Sequence, residues 1–314
     1  MLPPPRPNLR YVLYPGLIGY ALFVYLLAPA SVLHLSWVTA LWLFAPLVLL
    51  PLAFYVDRRS LPIYAWASST GLLAGSYLLP PSLAAALLAL PYLLFTVWSG
   101  WAALDRLHRW HWPAVVRLSG WLYLPVAAFW AFADRLDWQP LGFDPTIVLL
   151  TAAHFHYAGL LLPLVTGLAM ERAKQPVFRY VGAAVVFGVP LVAVGLTASQ
   201  FGVPHWMEQL AVMVMVLGGL GSGMLHIVLA GYGPHRLARQ LFFLGGGFLL
   251  GGMLLAFAYN FRAVLLLPWL DIPHMYAIHG TLNTLGVGIC LLGGWVALTR
   301  AERRDSVGGG ADVP

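Results

Sequence analysis

Charge is what this sequence has least of. Only 9% of its 314 residues are Asp, Glu, Lys or Arg, 61% are hydrophobic, and the mean hydropathy is +0.81. A soluble chain carries roughly 25% charged residues, so an integral membrane protein is expected. Cysteine is nearly absent as well. Cys290 stands alone in an apolar run, so no intrachain disulfide can form and the thiol says nothing of redox compartment. Carboxylates are essentially missing deep in the apolar runs, which argues against a carrier that loads protons on an intramembrane acid. There is no Walker sequence, which excludes ATP-driven transport within this chain. The lack of Glu-x-x-His argues against a carboxylate-bridged di-iron site, and the lack of His-Glu-x-x-His removes the zinc-protease reading. The net charge of +6 does not imply a nucleic-acid partner, because the cations cluster at the ends of apolar runs.

Apolar runs are what the chain has in plenty. A spanning helix needs about 20 mostly apolar residues. Ten segments qualify: Tyr11–Val32, Ser36–Val56, Leu61–Leu79, Ser82–Leu104, Pro113–Ala133, Thr146–Met170, Phe178–Ala198, Glu208–Tyr232, Leu241–Tyr259 and Met275–Thr299. The third is the weakest, because it contains Ser68, Ser69 and Thr70. Prolines 46, 91, 125, 163 and 190 fall inside spans, where membrane helices tolerate them. With the N-terminus cytoplasmic, inner segments hold 15 of the 17 basic residues and outer loops hold only Arg135 and Arg262. Positive charge is retained on the cytoplasmic side. The expectation is an all-α bundle of about ten transmembrane helices in a lipid bilayer, with both termini cytoplasmic. Residues 1–10 are expected to be a cytoplasmic N-terminal segment, read as carrying no removable leader, with 11–300 the membrane domain and 301–314 a flexible cytoplasmic tail.

The histidines divide by depth. His154 and His156 lie in Thr151-Ala-Ala-His-Phe-His-Tyr-Ala-Gly159, inside the sixth span. An ionisable residue at such a depth marks a functional site by default. His154 sits about 12 Å and His156 about 15 Å from the outer end of that span, and His279 about 9 Å from the outer end of the tenth. Asn283 follows His279 by one turn, on the same face. Two residues turn an α-helix by about 200°, so His154 and His156 point to nearly opposite faces. They cannot easily chelate one ion together. His274, beside Asp271, and His205, near Glu208, lie at the outer rim. His226 sits in the inner third of the eighth span, and His108 and His111 belong to an inner interfacial band, Asp105-Arg-Leu-His-Arg-Trp-His-Trp112. The bland reading of each membrane histidine is an interhelical hydrogen bond. Such bonds contribute only about 0.6 kcal/mol on average, a weak reason to keep two imidazoles in hydrocarbon.

Ala153-His-Phe-His-Tyr157 closely resembles the helix of haem–copper oxidase subunit I that carries "AHFHY". That resemblance implies His154 as ligand of a high-spin haem and His156 as ligand of a low-spin haem. The rest of the oxidase pattern is missing: there is no adjacent His-His pair and no His-Pro-Glu-Val-Tyr-like run. The paired segments His154–Gly159 and His279-Gly-Thr-Leu-Asn283 also resemble the YndJ-like family of multi-pass bacterial membrane proteins, which implies a bacterial cytoplasmic membrane but no mechanism.

The leading expectation is a haem- or metal-binding membrane protein, an oxidoreductase or a handler of oxygen or nitric oxide. Haem is the first cofactor and copper or zinc the alternative, since neutral imidazole suits all three. Cofactor or metal ligands are expected among His154, His156 and His279, with His274 and His205 as further metal candidates. Tyr157 and Asn283 are the expected supporting or catalytic groups, and a quinol or another redox subunit the expected partner. Two other classes use the same residues: a small-molecule transporter or binding protein without a metal, and a scaffold subunit. The glycines at 218–223, 245–247 and 251–252 read first as close helix packing.

Overall fold

The computed structural model describes residues 9–105, 111–173, 175–232 and 235–308. Arg6, Arg106, His108, Arg109, Lys174 and residues 309–314 of the tail lie outside the described residues. Among the described residues there are helices and no strands. Nine helices among the described residues are long and apolar enough to cross a membrane. In chain order they are α1 (Leu9–Leu27), α2 (Leu35–Val56), α4 (Leu83–Leu104), α5 (Trp112–Arg135), α6 (Pro145–Arg172), α7 (Phe178–Gln200), α8 (Trp206–Tyr232), α9 (Arg236–Asn260) and α10 (Ile272–Arg304). Between α2 and α4 lies the shorter α3 (Ile63–Ser76).

With only 14 residues, α3 is about 21 Å long, yet the chain around it crosses the whole bundle. Before it, Asp57 pairs with Arg117 of α5 at 3.4 Å. At its last residue and just beyond, the carbonyls of Ser76 and Leu79 accept from Arg135 of α5 at 3.5 and 3.3 Å. Arg117 and Arg135 are about 27 Å apart along one helix, so α3 and its flanks run alongside α5 for most of its length. Its hydroxyls do not prevent this. Ser69 and Thr70 donate to the Trp66 carbonyl and Ser68 to that of Tyr64, satisfying themselves within the helix. Arg303 lies over the Tyr55 ring, so the end of α10 meets the end of α2.

Sequence sets the helix starts. Asp144 caps α6, accepting from the Thr146 amide at 2.8 Å, with Pro145 in the first turn. Ser82 caps α4 and Asp271 caps α10 in the same manner. The two ends of the bundle differ in how charge is held. At one end Arg117 joins Asp57 to Glu171 (2.8 Å), and Arg172 joins Glu302 (2.6 Å). At the other, Arg135 is buried against Asp134 at 2.8 Å, with its guanidinium 3.9 Å from the Tyr77 ring centre. Glu302 belongs to the stretch expected as a flexible tail; instead the last helix runs on through Gly308. α1 begins two residues earlier than expected and ends at Leu27, where Ala28 takes a positive φ of 42° just before Pro29.

The centre of the bundle is α2, buried on every side from Val38 to Val56. A helix that is apolar all round belongs inside. Its prolines shape the surroundings. The Ala45 amide turns back to the Trp42 carbonyl, and the Leu50 amide reaches Ala45, across a π-helical segment Ala45–Leu49. Pro46 and Pro51 have no amide to give. The carbonyls of Leu41, Pro46 and Leu47 therefore lose their usual partners, and in hydrocarbon each needs another. Tyr157 donates to the Leu41 carbonyl at 2.6 Å and the Trp66 indole to that of Pro46 at 2.9 Å. Gly16 of α1 lies against the Leu47 carbonyl so closely that a Cβ there would sit 2.2 Å from the oxygen. The other glycine clusters serve packing, as in the mutual contact of Gly223 and Gly246 with each other's carbonyls.

Candidate functional site

Three further π-helical segments lie in α6 and α10: Phe155–Leu161, Tyr276–Gly280 and Leu282–Gly288. Such wide turns are rare and occur often at functional sites. They adjoin or contain His154, His156, His279 and Asn283. The π segment of α6 packs directly on Leu282–Gly288 of α10, and Tyr157 lies beside the Thr284 hydroxyl. The two histidine-bearing helices therefore touch.

The two α6 histidines do point opposite ways. His156 is 1% exposed and both ring nitrogens are engaged. Nδ1 lies 2.7 Å from the Ala152 carbonyl, which can only accept, so this nitrogen carries the proton. Nε2 then accepts from the Tyr92 hydroxyl at 2.8 Å. Trp42 completes the pocket, its ring centre 5.3 Å from the imidazole. In this state His156 has no nitrogen left for a metal, against the ligand role expected for it.

His154 faces outward and is exposed. Its Nδ1 donates to the Leu150 carbonyl at 2.8 Å, leaving Nε2 as an unprotonated acceptor. His279, half-buried, is held in the same tautomer from another helix. Its Nδ1 donates 2.9 Å to the carbonyl of Gly252 in α9. His154 and His279 thus stand on two helices whose π-helical segments touch. Asn283 donates from Nδ2 to the His279 carbonyl at 2.9 Å, and its side-chain oxygen lies over Gly252. Trp37 donates to Thr281 at 2.9 Å, which pins this part of α10 against α2.

The remaining candidates stay apart. Tyr157 is committed to the Leu41 carbonyl and ties α6 to α2. His205 is exposed and pairs within its own turn with Glu208 at 3.4 Å. His274 pairs with Asp271 at 2.7 Å at the mouth of α10. Hydrogen bonds from the His274 amide and ring hold the Asp271 carboxyl below the ordinary carboxylate range. Among the described residues no three His, Cys, Asp or Glu side chains gather as metal ligands, so the five-histidine set does not converge. His226 is wholly buried, its Nδ1 on the Ser222 carbonyl and its Nε2 accepting from Trp295 at 3.3 Å. His111 pairs with Glu171 at 3.2 Å at the Arg117 end. Tyr92, Gly252 and the Leu41 carbonyl carry no sequence signal. Their roles depend on which helices adjoin, which a single sequence does not state.

Nine helices long and apolar enough to cross a membrane among the described residues, packed with the shorter α3, define a polytopic integral membrane protein. The chain belongs to the YndJ-like protein family, whose model matches residues 38–287, a stretch that contains both histidine segments. It is similar to the uncharacterized membrane protein YndJ of Bacillus subtilis (strain 168), with 29% identity over 216 residues. That match covers 66% of this chain and 38% of the relative, so the chain spans well under half of the relative's length. No solved structure matches.

Proposed function

We propose that this protein is a membrane-integral haem- or metal-binding protein whose ligands are His154 and His279. The observation that carries the reading is the shared tautomer. Each ring donates Nδ1–H to a backbone carbonyl and keeps Nε2 as a lone pair. Backbone tethering of the far nitrogen is how metal-bound imidazoles are usually oriented. The donor set fits haem iron better than zinc. A structural zinc needs four protein ligands and a catalytic one three, whereas a porphyrin supplies four nitrogens and asks the protein for one or two. When bound, haem iron would supply one-electron redox chemistry or, with an open position, a place for oxygen or nitric oxide. His154 and His279 would hold the metal, and Asn283 would orient the turn that carries His279. A quinol dissolved in the bilayer, or a membrane redox subunit, is the proposed electron donor. The step from ligand set to oxidoreductase rests on the short oxidase-like stretch, which is an analogy.

The Arg117 end is assigned to the cytoplasm of a bacterial cell by the retention of positive charge on that side. The two outer arginines do not weaken this, because Arg135 is neutralised by Asp134 and Arg262 stacks on Tyr259. The histidine pair then lies in the outer leaflet. A second reading is favoured because no third His, Cys, Asp or Glu joins a metal cluster among the described residues: a small molecule that donates hydrogen bonds to the two lone pairs without any metal, in a binding protein or transporter. Variants separate the two. Under the metal reading, His154→Ala and His279→Ala each lose the bound metal or Soret absorbance of the purified protein, and His156→Ala in its folded fraction retains it. Retention in both His154→Ala and His279→Ala would remove the proposed ligand pair.

A further inference from the structure

We infer that Gly252 is a positioning residue that sets which nitrogen of His279 faces a ligand. This rests on the reading that His279 presents Nε2, but the tautomer can be tested without any ligand. The Gly252 carbonyl lies on α9, 27 residues away from His279 in sequence and 2.9 Å from its Nδ1. A carbonyl only accepts, so the contact demands Nδ1–H and leaves Nε2 bare. His154 takes the same tautomer from Leu150 of its own helix. That contact travels with α6, whereas the contact of His279 exists only while α9 and α10 keep their spacing.

The missing side chain at position 252 makes that spacing possible. A Cβ there would lie 3.1 Å from the Asn283 side-chain oxygen and 3.4 Å from its nitrogen. Asn283 cannot simply swing aside, because its Nδ2 is bound to the His279 carbonyl one turn back. The same small contact therefore carries two conditions: the carbonyl fixes the imidazole, and the bare Cα admits the amide that steadies the turn. Neighbouring Gly251 does not share the role. Its nearest neighbour would be Leu282 at 3.6 Å, an ordinary contact.

The test reads the ring directly. Protein with ¹⁵N-labelled histidine side chains, free of added metal, is compared by solid-state NMR with a His279→Gln sample, which identifies the His279 resonances by subtraction. The wild type should show a protonated Nδ1 and a bare Nε2. Gly252→Val should shift the pair toward a mixture of tautomers, and Gly252→Ala should do so in part. Adding Asn283→Ala to Gly252→Ala should move the ring part of the way back toward the wild-type tautomer, since it returns the space that the Cβ takes but also removes the amide that steadies the turn. A residue important only for packing would lower stability without moving the ring resonances. Where the metal is retained, Gly252→Val should weaken its binding by roughly three- to eighteen-fold, the range for losing one interhelical hydrogen bond in a membrane. Wild-type resonances in Gly252→Val would overturn the inference even if the metal reading held. Conversely, a metal-free wild type with the expected tautomer and its loss in Gly252→Val would leave the inference standing while the metal reading fell.

Discussion

Removing one hydroxyl, with Tyr92→Phe, separates a structural His156 from a ligand. Tyr92 is 0% and His156 1% exposed, and the phenol donates to Nε2 at 2.8 Å. The substitution keeps the ring that stacks on the imidazole, 5.9 Å between centres. It strips the donor from Nε2 and leaves a buried acceptor unsatisfied. Such a loss costs about 1–3 kcal/mol in soluble proteins, and interhelical bonds in membranes average about 0.6 kcal/mol with a maximum near 1.7. The deeply buried position favours the upper part of the membrane range, so a loss of about 1–1.7 kcal/mol is expected. Reversible unfolding in mixed micelles, run as a double-mutant cycle with His156→Phe, isolates the pair. The coupling should exceed about 0.5 kcal/mol, the scatter seen for independent sites, and Tyr92→Phe should leave cofactor or metal content unchanged. A coupling within that scatter, or loss of the cofactor on removing the hydroxyl, would refute the assignment of His156 as a structural imidazole.

Tyr157→Phe should destabilise the fold by about 1 kcal/mol, because it orphans the Leu41 carbonyl that Pro46 and the π turn leave free. It should not alter cofactor content; a selective loss of cofactor would return Tyr157 to the site. Gly167→Ala should cost about 1–3 kcal/mol by overpacking, since its Cβ would meet the Pro113 carbonyl at 2.6 Å and Arg117 at 2.5 Å. An unchanged unfolding midpoint would mean α5 and α6 are not as close as described. Asp144→Ala should cost about 1 kcal/mol as a lost helix cap, and Asp144→Asn should recover most of it; equal loss in both would point away from capping.

Much of this architecture was legible in the sequence because hydrocarbon leaves few choices. Nine of the ten apolar runs became helices long enough to cross a membrane, and the other, Leu61–Leu79, became the shorter α3, whose serines and threonine bond back into their own helix. The opposite facing of His154 and His156 followed from helix geometry alone. The approach of α6 to α10 did not, since no residue in either run names its neighbour. Nor did the sequence betray the partner of His156: Tyr92 lies in α4, 64 residues away. The tail from Ala301 read as flexible because its glycines and charges offer little to bury, yet Glu302 finds Arg172 and extends the helix. The rim histidines His205 and His274 sat near the right depth, but each is occupied by a carboxylate three residues away along the chain.

The most direct test of the central claim is a visible spectrum of the detergent-purified protein, oxidised and dithionite-reduced, with metal analysis of the same sample. A site held by the Nε2 atoms of His154 and His279 predicts a Soret band with reduced α-bands, or failing haem, one equivalent of a transition metal. A colourless sample that stays free of metal after reconstitution with haemin, copper and zinc would contradict the metal reading. The two bare imidazoles would then belong to a ligand that supplies its own hydrogen-bond donors.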